Sequence, residues 1–176
     1  IGDHAFGGCC SLESIVIPKG VTKITNSAFR DCTSLKEIII PESVKAIGDY
    51  AFAGCTSLES IVIPKGVTMI GNSAFEDCTS IKEITIPEGV TEIQHVTFGG
   101  CTSLASITIP ESVTKIRTQV FKDCTSLESV VVAEGNPVYD SREGCNAIIE
   151  TETNTLIASC KTTFIPESVT TIGQYA

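Results

Sequence analysis

The chain repeats itself every 23 residues, and no other property limits its folding so severely. Proline recurs at Pro18, Pro41, Pro64, Pro87 and Pro110, and cysteine at Cys9, Cys32, Cys55, Cys78, Cys101 and Cys124. Phenylalanine keeps the same beat at Phe6, Phe29, Phe52, Phe75, Phe98 and Phe121. Six copies in one register point to a stack of equivalent coils. One unit reads Ile47-Gly48-x-x-Ala51-Phe52-x-x-Cys55-Thr56-Ser57-Leu58-x-x-Ile61-x-Ile63-Pro64-x-x-Val67-x-x-Ile70. Its large apolar side chains, about six, contribute roughly 1.5–3 kcal/mol each when buried. Ordering the backbone costs roughly 1–2 kcal/mol per residue over the whole unit. A single unit therefore cannot fold alone; its neighbours must cover its flanks.

Within a unit, Ile61-x-Ile63 alternates like a short strand with one buried face. Pro64 cannot donate to a ladder and ends that strand. Val67-x-x-Ile70 supplies a second short extended piece on the other side of the coil. The position held by Asp3, Asn26, Asp49, Asn72, His95 and Thr118 suits a helix N-cap. Ala51, Phe52 and Cys55 then share one face of a single helical or 3₁₀ turn. The expected architecture is a right-handed solenoid with one parallel sheet face, short second strands and short helical turns.

The Ala-Phe-x-x-Cys-x-x-Leu and Ile-x-Ile-Pro blocks at this spacing resemble the BspA-type branch of bacterial leucine-rich repeat proteins. The resemblance covers residues 1 to about 134 and resumes over 164–176, with Ile165-Pro166-Glu167-Ser168-Val169. It implies an α/β repeat protein, rich in β, with a leucine-rich-repeat-like solenoid fold. The general leucine-rich consensus is matched only in its first half: Leu35, Ile38 and Ile40 fit, but Ser43 replaces the usual Asn or Cys. The usual Asn ladder is therefore expected to be missing. The resemblance further implies a non-enzymatic, secreted or cell-surface protein with adhesion or protein binding as its role. The partner would be a protein ligand such as a host extracellular protein. The alternatives are a structural spacer, or an accessory module of a larger secreted protein or enzyme.

Between Pro110 and Pro166 the beat gains ten residues. The chain divides accordingly into six repeats over 1–134, an enlarged repeat over 135–163 and the start of a further repeat over 164–176. Asn146–Glu150 and Thr155–Ser159 read as a hairpin around Thr151–Asn154. Either this is an irregular structural coil, or it protrudes and supplies a contact surface. Both ends of the sequence fall inside a unit, as expected of a segment from a longer array. End-to-end stacking of such coils is an open reading.

The six periodic cysteines match no zinc spacing and read as buried free thiols. Cys10, standing where other units have Thr, reads as exposed. Cys145 and Cys160 are different: a hairpin symmetric about its turn would place them face to face, close enough for a disulfide. His4 and His95 lie four units apart and cannot share a metal. No metal site, cofactor or catalytic constellation is expected.

Two outward columns remain as the candidate binding face. One is Ser14, Glu37, Ser60, Glu83, Ser106 and Ser129; the other is Val16, Ile39, Val62, Thr85, Thr108 and Val131. An exposed β-branched stripe suits a partner, though β-branched residues also stabilise a sheet by packing on one face. Lys19, Glu42, Lys65, Glu88, Glu111 and Glu134 line its edge. The formal net charge of −9 argues against nucleic acid as the partner. No apolar run is long enough to span a membrane.

Overall fold

A computed structural model describes residues 1–176. Its strands, in chain order, are β1 (Ser14–Val16), β2 (Lys23–Ile24), β3 (Glu37–Ile39), β4 (Ala46–Ile47), β5 (Met69–Ile70), β6 (Glu92–Ile93) and β7 (Ser106–Ile109). They continue as β8 (Lys115–Ile116), β9 (Ser129–Val132), β10 (Tyr139–Asp140), β11 (Ala147–Glu150), β12 (Thr155–Ser159) and β13 (Thr171–Ile172). The pairs β1–β3 and β7–β9 are parallel and in register by one repeat, with Val16 beside Ile39 and Thr108 beside Val131. On the second side of the coil β2, β4 and β5 pair in parallel, as do β6 and β8. The result is a solenoid of stacked coils with a β-rich wall, as the repeat requires.

The first wall is not one unbroken sheet. Residues 60–62 lie outside any strand, and a single bridge from Glu83 to Ser106 links the fourth coil to the fifth. The in-and-out alternation nevertheless persists there. Ile61, Ile63, Ile84 and Ile86 are buried, while Val62 and Thr85 face out.

The expected helical turn does not form, and the hydrogen bonds show why. Ser27, Phe29 and Asp31 donate their N–H groups to Asp49, Ala51 and Ala53 of the next coil, at 2.7–2.8 Å. Arg30 and Cys32 between them donate within the turn, to Ser27 and Phe29. A helix would keep every N–H for itself; here alternate ones stitch coil to coil. Two residues with positive φ in each turn produce that alternation, Ser27 and Asp31 in one coil, Tyr50 and Gly54 in the next. One 3₁₀ turn occurs in the chain, at Arg142–Gly144.

The column read as N-caps has a different partner. Asp3 Oδ1 accepts the N–H of Asn26 (3.0 Å), Asn26 Oδ1 that of Asp49 (3.0 Å), and Asp49 Oδ1 that of Asn72 (2.7 Å). The side chains thus satisfy a backbone donor in the following coil rather than in a helix of their own. An inter-coil Asx ladder exists after all, on the opposite flank of the unit from the Asn position of the general consensus. The Asp3 carboxyl is held below its usual range by hydrogen bonds from Thr25 and the Asn26 backbone.

Inside, 39 buried residues form one continuous core. The phenylalanines stack in one file, with ring centroids 5.1 Å apart between Phe6 and Phe29 and 6.0 Å between Phe98 and Phe121. Ring tilt grows from 1° to 9° over the same path. Beside the file each periodic thiol from Cys32 to Cys124 donates to the phenylalanine carbonyl of the preceding coil. Cys55 reaches Phe29 and Cys78 reaches Phe52, both at 3.1 Å. Cys32, Cys55, Cys78 and Cys101 are thus buried and satisfied, and Cys124 is half-buried; Cys9, in the first coil with no coil before it to cover it, is exposed, against the expectation of six buried thiols.

At the corner after each phenylalanine, Gly8, Asp31, Gly54, Asp77, Gly100 and Asp123 alternate strictly, all at positive φ. A Cβ on Gly54 would run into the Asp31 carboxylate, and one on Gly100 into that of Asp77. Gly54 and Gly100 each leave room for the aspartate of the coil before. Gly54→Ala is expected to lower stability by about 1–2 kcal/mol, from left-handed backbone strain and the collision together. A urea titration read against wild type checks it.

The enlarged repeat does not protrude. β10, β11 and β12 pair antiparallel and β12 then pairs in parallel with β13, so the hairpin is built into the stack. Ile148 and Ala158 join the main core, while Cys145, Ala147, Ile149 and Leu156 form a smaller one with Val169 and Ala176. Asn136 anchors its entry by donating to the carbonyls of Pro110 and Val113 and accepting from the N–H groups of Val138 and Tyr139. Arg142 clamps its tip, gripping Asp140 through two nitrogens and donating to Asn154.

Candidate functional site

The two outward columns come together as expected from their spacing. Val16, Ile39 and Val62 are 79%, 70% and 79% exposed in consecutive coils. Thr85 and Thr108 continue the row, and Val131 ends it at 41% exposure. Beside it run Ser14, Glu37, Ser60, Glu83 and Ser106, all exposed, with Ser129 half-buried. The residue between the columns in each strand points inward, Ile38 and Ile107 among them. The pleat therefore presents a polar column of Ser and Glu beside a β-branched column of Val, Ile and Thr, and the face is shallow and wide. It has no enclosed cleft of the kind that excludes water from a reaction.

A second pair of columns flanks the row, and only its outer edge is apparent from the sequence reading. Three residues before the row stand Glu13, Lys36, Glu59 and Lys82; three after it stand Lys19, Glu42, Lys65 and Glu88. All eight are exposed. In every one of these four coils the two flanks carry opposite charges, and the sign inverts from coil to coil. The signal lay in the units themselves, but it has meaning only once the apolar row is known to run between the two.

The remaining candidates do not assemble into a site. Cys145 and Cys160 are free thiols. The register explains it: Glu150 faces Thr155 and Ile149 faces Leu156, but Ile148 faces Ala158 and Ala147 faces Ser159. The bulge at Ile157 shifts the pairing by one residue at the hairpin base, which moves the two cysteines out of opposition. Cys145 is buried, and Cys160 donates to the Asn146 carbonyl at 3.2 Å. His4 is exposed and His95 shares a hydrogen bond with Thr118 (2.9 Å). No group of three or more His, Cys, Asp or Glu side chains is placed to hold a metal ion.

Some charges elsewhere on the surface pair locally. Burial alone would raise the Glu92 carboxyl, but the hydrogen bond and charge of Arg117, with Lys115 beside it, hold it below its usual range. Burial pushes the periodic thiols the other way, Cys32 and Cys124 up to about 11 and Cys55 up to about 12. Cys78 and Cys101 are pushed well above the ordinary thiol range for the same reason. These thiols are poor nucleophiles near neutral pH.

Against protein families, residues 1–128 match six copies of the BspA-type leucine-rich repeat region. The chain belongs to that family. The BspA-type solenoid seen here is similar to a solved leucine-rich repeat protein of Eubacterium ventriosum (25% identity, TM-score 0.80, covering 93% of this chain and 44% of that one). It is also similar to the pneumococcal vaccine antigen PcpA (28% identity, TM-score 0.81, 93% and 42%). A leucine-rich cell surface protein of Faecalibacterium prausnitzii shares 32% identity over 89% of this chain and 48% of its own, with TM-score 0.66. The BspA-type chain thus spans less than half the length of these three relatives. No curated protein sequence matches it. No helix in it is long and apolar enough to cross a membrane.

Proposed function

We propose that this BspA-type solenoid is a non-enzymatic protein-recognition module displayed at a bacterial surface, and that its outer sheet face makes the contact. The observation that carries the reading is the row Val16, Ile39 and Val62. Three consecutive coils hold a large β-branched apolar side chain more than two-thirds in water, although Thr85 and Thr108 serve the same place in the wall. Apolar area kept exposed where a polar residue fits suits a partner surface. The similar Faecalibacterium protein is a cell surface protein, which supports the location.

The test replaces Val16, Ile39 and Val62 together with Thr, the residue the same chain already uses in that column. Wild type and variant are passed over immobilised extracellular-matrix and serum proteins. Burial of these side chains contributes enough that the variant should bind at least about 10-fold more weakly. Its melting temperature should stay close to wild type, since Thr suits an exposed strand position. Equal binding by both forms removes the sheet face from the reading. No binding by wild type to any of them favours the spacer, which the unbroken 39-residue core also suits.

A further inference from the structure

We infer that the recognition face is self-complementary, and that its partner is a second copy of this chain packed face to face over the first four coils. The inference rests on the reading of that face as a contact surface and adds the identity of what it contacts.

The argument is one of symmetry. The charged positions lie three residues to either side of the apolar row, so a twofold axis running along the row exchanges one flank with the other. Coil then meets the same coil of the second copy, with strand directions opposed. Val16, Ile39 and Val62 meet their own counterparts. Glu13 comes opposite Lys19, Lys36 opposite Glu42, Glu59 opposite Lys65 and Lys82 opposite Glu88. Every one of the four cross-pairs is of opposite sign, and each occurs twice by symmetry. Glu37 and Glu83, the other charges on this face, sit next to Lys36 and Lys82 and fall opposite Pro41 and Pro87.

Pairing within the solenoid does not account for the pattern. Of the eight flanking charges, Glu13 and Lys36 alone form an ion pair, at 3.0 Å. The other six, including the whole column Lys19, Glu42, Lys65 and Glu88, make none, although their signs alternate along the stack. A displacement by one coil sets like charges together, so the pattern also fixes the register. In the fifth coil Ala105 replaces the charge, and in the sixth Glu128 and Glu134 carry the same sign. Glu128 there pairs with Lys161 of its own chain instead (3.5 Å). The self-complementary region therefore ends with the fourth coil, one coil beyond the run Val16, Ile39 and Val62.

Four coils offer less area than a standard interface, so association is expected to be weak, with a dissociation constant on the order of 100 µM. Sedimentation equilibrium of the 176-residue chain up to about 1 mM at low salt reads it directly, and high salt should weaken it. Two charge-reversal variants provide the decisive comparison. Lys19→Glu with Lys65→Glu makes both flanks of coils one and three negative; Glu13→Lys with Glu59→Lys makes them positive. Each variant alone should dimerise at least about 10-fold more weakly than wild type, and an equimolar mixture should regain association within about threefold of wild type. All four residues are exposed, and regained association in the mixture shows both variants to be folded. A monomeric wild type at 1 mM overturns the inference, as does a dimer that either variant leaves unchanged or a mixture that fails to associate. None of those results touches binding to matrix or serum proteins, which the Thr variant tests separately.

Discussion

Raising the pH from 8 to 10 is expected to lower the unfolding free energy by roughly 4 kcal/mol through three thiols alone. Cys55, Cys78 and Cys101 are fully buried against the phenylalanine file. Burial pushes Cys55 up to about 12 and holds the other two well above the ordinary range, while the unfolded chain titrates near 9.0. The fold thus favours the protonated form. Below about pH 8 both states are protonated and this contribution is complete. Above pH 9 the unfolded chain releases protons that the folded one keeps, so stability falls as the pH rises. At pH 10 the difference is roughly 1–2 kcal/mol for each thiol. Tyr139, also raised by burial, acts in the same direction at higher pH. Urea titrations at pH 8, 9 and 10 measure the slope. A variant with Cys55→Ala, Cys78→Ala and Cys101→Ala will be less stable at every pH, yet its slope over this range should be much shallower. An unchanged slope would mean the thiols do not carry the effect.

Phe52→Ala is expected to cost about 3–5 kcal/mol, the largest loss from any single truncation in the chain. Phe52 is wholly buried, with Phe29 at 5.4 Å on one side and Phe75 at 5.5 Å on the other. The cavity would open in the middle of a stack in which each coil is covered chiefly by its neighbours. Stability in such a stack resides in nearest-neighbour contacts. The variant should therefore unfold over a broader range of denaturant, as the parts before and after the gap separate. Phe121→Ala, at a half-buried position near the end of the file, should cost markedly less. Equal losses at the two sites would argue against a file whose rings depend on their neighbours.

The period was enough to read the coil, its inward residues and the outward columns, because repetition forces equivalent residues into equivalent places. Features that depend on two coils at once were not legible from one unit. Ala51, Phe52 and Cys55 have the spacing of a helical turn, yet alternate N–H groups leave for the next coil. Asp49 has the chemistry of an N-cap, yet the donor it satisfies belongs to Asn72, a full unit away. The hairpin was visible in its two apolar runs, but nothing in Thr155–Ser159 marks Ile157 as the bulge that moves Cys160 out of line with Cys145. Nor do those runs announce that Ile148 will enter the main core. The candidate face was readable as a stripe; its charged flanks acquired meaning from the strand that separates them.

The strict alternation of glycine and aspartate at the corners carries an implication for how such a protein can change length over generations. Excising one unit would set aspartate upon aspartate or leave glycine beneath glycine, and would bring charges of the same sign together along the flanks of the outer face. Excising or copying two adjacent units keeps every junction as it was. Recombination between repeats should therefore be tolerated in steps of 46 residues, and the identity of Ser11–Thr22 with Ser57–Thr68 is what one past duplication of that size would leave behind.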